Sequence, residues 1–310
     1  VRYKTGIAYG LGIKDSYAYL TTNSDLVIID IANPKILQRI GRLKIGTPIF
    51  GLKVLNQKAF LAVTDKGLVI VDVSNPGNPK IIGEFYDGGE VQSVGLTDQY
   101  CITSDYTNGL NILDISNLSK PAKVSCLKYN RIKEFIVTNN LVFLVDIGSG
   151  LKVVDISDKT NPVEVTAVNE TKGASSVEID GNRLFLGFFD GLIKIFDISN
   201  PKSPVLLTKI ECPGEVLKLT AADNYLSTNF KGVLIINISD LNKIVDVGSY
   251  RRTKGAHDIV YRDGYVYYVL RGLTIFKIIK LLSMINIEEA FFPPPNKSPK
   301  KKGTFASMKG

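Results

Sequence analysis

The chain has 310 residues, 45% hydrophobic and 22% charged, which excludes a disordered polymer and leaves apolar material for a large core. Its formal net charge of +8 is dispersed, with five lysines and two glutamates in residues 281–310 and the other charges intermixed. That argues against nucleic-acid binding, which concentrates basic residues on one face or helix.

The chain opens with "VRYKTGIAYG" (1–10), which carries no apolar segment of the signal-peptide type. A strand pattern then ends on Asp30 in "LVIID" (26–30). The same ending returns at Asp72 in "LVIVD", Asp114 in "NILD", Asp155 in "LKVVD" and Asp197 in "IKIFD", then in degenerate form at Asn237 and Lys277. The spacings are 42, 42, 41, 42, 40 and 40 residues, so seven units fill residues 1–280. The fifth unit shows the plan. "SSVEID" (175–180) alternates, "RLFLGF" (183–188) follows a Gly turn, and "GLIKIFDI" (191–198) leads through "SNPKSP" (199–204) into "VLLTKI" (205–210). Four short strands per unit, with no sustained 3.6-residue period, predict an all-β protein.

The repeated phrase has a physical reading. Leu68, Val69, Ile70 and Val71 make a strand apolar on both faces, as a strand packed between two neighbouring sheets requires. An Asp side chain at its end can accept the backbone N–H two residues on and start a turn. Pro76 has no N–H and stops the ladder. One such meander cannot bury both faces, but seven arranged radially can. The predicted fold is therefore a seven-bladed β-propeller of four-stranded antiparallel blades.

The last unit, "GAHDIVYRDGYVYYVLRGLTIFKI" (255–278), supplies three strands and no Pro turn. "RYKTG" (2–6) matches "RRTKG" (251–255), so residues 1–5 are predicted to pair on the outside of the last blade. The alternative is that "LLSMINI" (281–287) supplies that strand. Residues 281–310 read as a Pro- and Lys-rich tail, extended and mobile, around "FFPPPNKSPKKKG". "LTIFKIIKLLSMINI" (273–287) is interrupted by Lys277 and Lys280, too short and too charged for a membrane span.

"LVIVD" at 68–72, with "LVIID" and "LKVVD" in register and S-N-P following the strand, resembles the LVIVD-repeat family. The resemblance covers about residues 6–280, with Asn237 and Lys277 departing at the Asp position. It implies a β-propeller without a general enzymatic activity, serving as a binding or structural scaffold. It also implies a cell-surface or secreted location.

The five anchor aspartates recur with the blade, so turn-making accounts for them better than chemistry does. No G-x-S-x-G elbow, P-loop, H-E-x-x-H or EF-hand loop is present. Cys101, Cys126 and Cys212 have no C-x-x-C spacing, and one His with three scattered Cys does not make a metal centre. No cofactor, no metal and no catalytic residue is assigned. The informative positions are those that stop repeating. At the start of the first strand of each unit stand Tyr9, Phe50, Gln92, Lys133, Ser175, Glu215 and His257. Beside them stand Gly10, Gly51, Ser93, Glu134, Ser176, Val216 and Asp258. In a propeller the first strand is innermost, so Tyr9, Phe50, Gln92, Lys133, Glu134, Glu215, His257 and Asp258 are the candidate ligand-binding residues at the channel mouth. The expected partner is a protein or a glycan, bound by a monomeric propeller. A hydrolase or lyase using His257, Glu215 and Lys133 in the central funnel is the alternative.

Overall fold

The computed structural model describes residues 1–105, 108–230, 232–251, 257–280 and 285–288. Among them every regular element is a β-strand except a three-residue 3-10 turn at Asn169–Thr171. Residues 8–44, 49–85, 91–127, 132–168, 174–211 and 219–251 each form a four-stranded antiparallel blade, its strands ordered as in the chain. The first strands of neighbouring blades pack side by side in a closed ring around the axis.

Blade seven is assembled from distant parts of the chain. Asp258–Arg262, Tyr265–Val269 and Gly272–Lys280 supply its inner three strands, and Arg2–Lys4 is the fourth. Arg2 pairs with Thr274 and Lys4 with Gly272. The Val1 amine donates to the Ile275 carbonyl at 2.9 Å, and the Ile275 N–H returns to the Val1 carbonyl at 2.8 Å. Gly272, at φ +127°, permits this approach: a β-carbon there would lie 1.9 Å from the Tyr3 carbonyl oxygen. Ile285–Glu288 then pairs with the far half of the same strand, Lys277 with Glu288 through Lys280 with Ile285. Both closing segments read from the sequence are used, on successive halves of Gly272–Lys280. Four residues of the stretch read as a tail are thus in blade seven, and residues 281–284 and 289–310 lie outside the described residues.

The core is divided among the blade interfaces. Seven buried apolar clusters each join two neighbouring blades, including one between blades seven and one. Blade two shows why its third strand must be apolar throughout. Val69 and Val71 face blade one, Leu68 and Ile70 face blade three, and all four are fully buried. Each such side chain contributes about 1.5–3 kcal/mol by its burial.

The turn after that strand is a double side-chain turn. Asp72 Oδ1 accepts the Ser74 N–H at 2.9 Å, and Asn75 Oδ1 accepts the Gly77 N–H at 3.1 Å. The first bond recurs at Asp30, Asp114, Asp155, Asp197 and Asn237, and the second at Asn33, Asn117, Asp158, Asn200 and Asp240. The anchor carboxylates are therefore occupied in turn-making. The turn also docks on the preceding blade. A β-carbon on Gly41 would lie 1.9 Å from the Pro76 carbonyl oxygen, and one on Gly83 1.8 Å from that of Leu118. In the next two blades a hydroxyl takes that place: Ser125 donates to the Lys159 carbonyl at 2.6 Å and Thr166 to that of Lys202 at 2.9 Å.

Candidate ligand-binding funnel

In the first five blades the inner strand pairs regularly with the second strand except near its start. The pairing skips Phe50 between Ile49 and Gly51, Gln92 between Val91 and Ser93, Lys133 between Ile132 and Glu134, and Ser175 between Ala174 and Ser176. In blade one it skips Tyr9 and Gly10. A bulge leaves its residue outside the ladder and re-aims the side chain. The position that varies from unit to unit is thus the bulged one, free of the demands of pairing. By the up-and-down order of the strands, the bulges share a face with the links between blades, and the Asp–Pro turns occupy the opposite face.

These residues open into a cavity of about 540 Å³ at the centre of the ring. Tyr9, Phe50, Gln92, Lys133, Glu134, His257 and Asp258 all line it. One wall is aromatic. Tyr9 stacks on His257 with centroids 5.2 Å apart and planes 9° apart, and Phe50 meets Tyr9 edge-on at 5.1 Å. Tyr9 is fixed by its hydroxyl, 2.6 Å from Asn23 Oδ1. His257 Nδ1 lies 2.9 Å from the Ala8 carbonyl oxygen. A carbonyl only accepts, so Nδ1 carries the proton and Nε2 of the neutral ring is an acceptor.

The rest of the lining is polar and ties the blades together. Glu134 Oε2 accepts the Val177 N–H of blade five at 3.1 Å. Asp258 Oδ2 accepts the Leu11 N–H of blade one at 2.8 Å. Lys218 of blade six donates to Glu134 Oε1 and lies 3.9 Å from Asp258 Oδ1. Ser176 Oγ accepts the Leu219 N–H at 3.1 Å, continuing the pattern from blade five to six. Where this row is glycine the backbones touch: a β-carbon on Gly51 would lie 2.9 Å from Ser93 Cα. The row beside the bulges thus joins blades as well as lining the cavity.

Glu215 is the exception. It is exposed, precedes the short strand Leu219–Ala222, and does not line the cavity. Ala222 pairs with Tyr225 as Asp180 does with Arg183, so Leu217 and Lys218 are the blade-six equivalents of Ser175 and Ser176. There Asn229 Oδ1 accepts the N–H groups of Leu217 and Lys218, at 3.1 and 2.6 Å. The trio His257, Glu215 and Lys133 is therefore not brought together in the cavity.

Three charged residues of the funnel escaped the sequence reading: Lys218, Lys53 and Glu178. Lys53 and Glu178 occupy one equivalent position, two residues before the end of the inner strand in blades two and five. The repeat alignment, read two residues beyond the second row, would have exposed them. Burial pushes the Glu178 carboxyl up to about 7, against the Ile179 amide and the Lys53 charge, which favour ionisation. Burial also holds the Lys218 ammonium below its ordinary value, with Asp258 opposing. Among the described residues no group of three or more His, Cys, Asp or Glu is placed to hold a metal ion. The three cysteines are free thiols. No helix of the described residues is long and apolar enough to cross a membrane.

Solved structures share this architecture at low sequence identity. The Cps50 (Swd1) β-propeller domain of Myceliophteria thermophila is 11% identical with a TM-score of 0.77, over 90% of this chain and 98% of that one. The computationally designed Ika8 protein is 11% identical with a TM-score of 0.65, over 89% and 98%. Such likeness concerns the fold alone. A search of curated proteins returned no match. The family model described as "LVIVD repeat" matches residues 5–43, 51–87, 88–127, 133–170 and 172–211. These matches take in more than half of the sequence and fall on the first five blades, so the chain belongs to the LVIVD-repeat family.

Proposed function

We propose that this propeller is a non-enzymatic binding scaffold that takes its partner at the funnel mouth. One observation carries the reading. The positions at which the repeat stops repeating converge on a single cavity with an aromatic wall and a polar wall. Apolar area with a few placed polar groups is what a ligand site requires. The recurring carboxylates, by contrast, are spent in turns. Glu215 lies outside the cavity and His257 is engaged through Nδ1, so the set of His257, Glu215 and Lys133 is not assembled there. The family resemblance supports a location at the cell surface or outside the cell, which protease treatment of intact source cells would check.

The test is affinity capture from the native source by the wild type and by the combined Phe50→Ala, Gln92→Ala, Lys133→Ala variant. A partner held by the first and reduced at least about tenfold with the second is the expected result. A partner held equally by both would place the site on the blade rims or the opposite face.

A further inference from the structure

The charged groups of the funnel are not equally satisfied. Glu134 is engaged by Lys218 and the Val177 amide, and Asp258 accepts from the Leu11 and Ile259 amides with Lys218 nearby. Glu178 accepts from the Ile179 amide at 3.1 Å, and burial keeps it partly protonated near neutral pH. Lys53 and Lys133 line the same cavity, and neither amine has a hydrogen bond or ion pair among the described residues. Two ammonium groups are thus free for a ligand, while the acids already have donors. Lining the same cavity is the wall of Tyr9, Phe50 and His257, with His257 Nε2 as an acceptor.

We infer that the funnel binds an acidic saccharide, a sugar ring whose apolar face packs on Tyr9 and Phe50 and whose carboxylate is neutralised by Lys53 and Lys133. A neutral sugar would leave both ammonium groups unpaired. A simple dicarboxylate would leave the aromatic wall uncovered. The cavity of about 540 Å³ lies within the size range of sites for small ligands. The inference rests on the funnel being the binding site and adds the class of ligand.

The experiment is calorimetric titration of the full chain at pH 7 with digalacturonate, maltose and glutarate. Digalacturonate and maltose are α-1,4 disaccharides that differ in their carboxylates and in the configuration at C4, and the lysine variants isolate the first difference. Digalacturonate is expected to bind at least about tenfold more tightly than either of the others, and less tightly as salt is raised. The Lys53→Met, Lys133→Met variant should bring digalacturonate to the level of maltose, and Tyr9→Ala should weaken both sugars. Lys133→Gln, at an exposed position, gives the same comparison if the double variant does not fold. Equal binding of digalacturonate and maltose, or binding of neither, overturns the assignment. Glutarate as tight as digalacturonate overturns it in favour of an acidic peptide. If captured partners are lost on funnel substitution while no sugar binds, only the saccharide assignment falls. If digalacturonate binds every funnel variant unchanged, the funnel reading falls as well.

Discussion

The two faces of the ring obey different rules. On the turn face, six blades repeat one bond, from an Asp or Asn side chain to the N–H two residues on, at distances of 2.8–2.9 Å. On the funnel face the backbone makes a bulge in each of the first five blades, yet the bulged residue is Tyr, Phe, Gln, Lys and Ser in turn. The turn requires a particular side chain, whereas the bulge requires only a break in pairing. Stability therefore fixes the turn position, and the bulged position is left to chemistry.

The comparison can be broken most severely at the docking of turns on preceding blades. Gly83→Val would drive a side chain into the Leu118 carbonyl and should cost about 3 kcal/mol or more in urea denaturation. An unchanged midpoint would show that the turns are not seated on their neighbours. Glu178→Gln tests whether the funnel face bears a cost for its charges. The folded-state value of about 7 lies above the ordinary 4.5, so the folded protein holds this proton more tightly. Its contribution to stability is full below 4.5 and is lost as pH rises through 7. The amide should therefore stabilise the protein by about 3 kcal/mol at pH 8 and leave it unchanged at pH 4. Equal effects at both pH values would refute the assignment of burial to Glu178.

Smaller effects sharpen the contrast. Asp72→Ala removes one turn bond and should cost about 1 kcal/mol at pH 7. The Ser74 bonds hold the Asp72 carboxyl below its ordinary 3.8, so its contribution is lost as pH falls through that lowered value, and wild type and variant should converge in strong acid. The Gln92→Ala, Lys133→Ala variant should shift stability by no more than about 0.5 kcal/mol while weakening ligand binding. A loss comparable to that of Asp72→Ala would mean that the bulged residues also build the blades.

The fold was legible because its turns need Asp, Asn and Pro at fixed places, and those letters recur in register. Both faces of "LVIVD" are apolar because each meets a different neighbour. The funnel was legible in part. Tyr9, Phe50, Gln92, Lys133 and His257 were found because position alone marks a residue at the head of an inner strand. Glu215 was misplaced because blade six replaces strand pairing at 217–218 with hydrogen bonds to Asn229, and only the distance to the following turn fixes its register. Lys53 and Glu178 were missed because depth along the channel is a second coordinate, and an alignment read at one height does not contain it. The bridging bonds of Glu134 and Asp258 depend on the spacing of neighbouring blades, which no single repeat records.

The closure of blade seven bears on the order in which the chain can fold. Val1 bonds to Ile275 across a separation of 274 residues. Closing a flexible loop of that length costs on the order of 5 kcal/mol in chain entropy, more than three short strand pairs return on their own. Blades one to six have only local pairings and can each form without waiting for the ends. The join between Arg2–Lys4 and Gly272–Lys280 becomes favourable once those blades have stacked and carried the two segments together. Closure of the ring is thus expected to come last in folding, and its seam to open first, which hydrogen exchange at Arg2–Lys4 faster than in the inner strands would show.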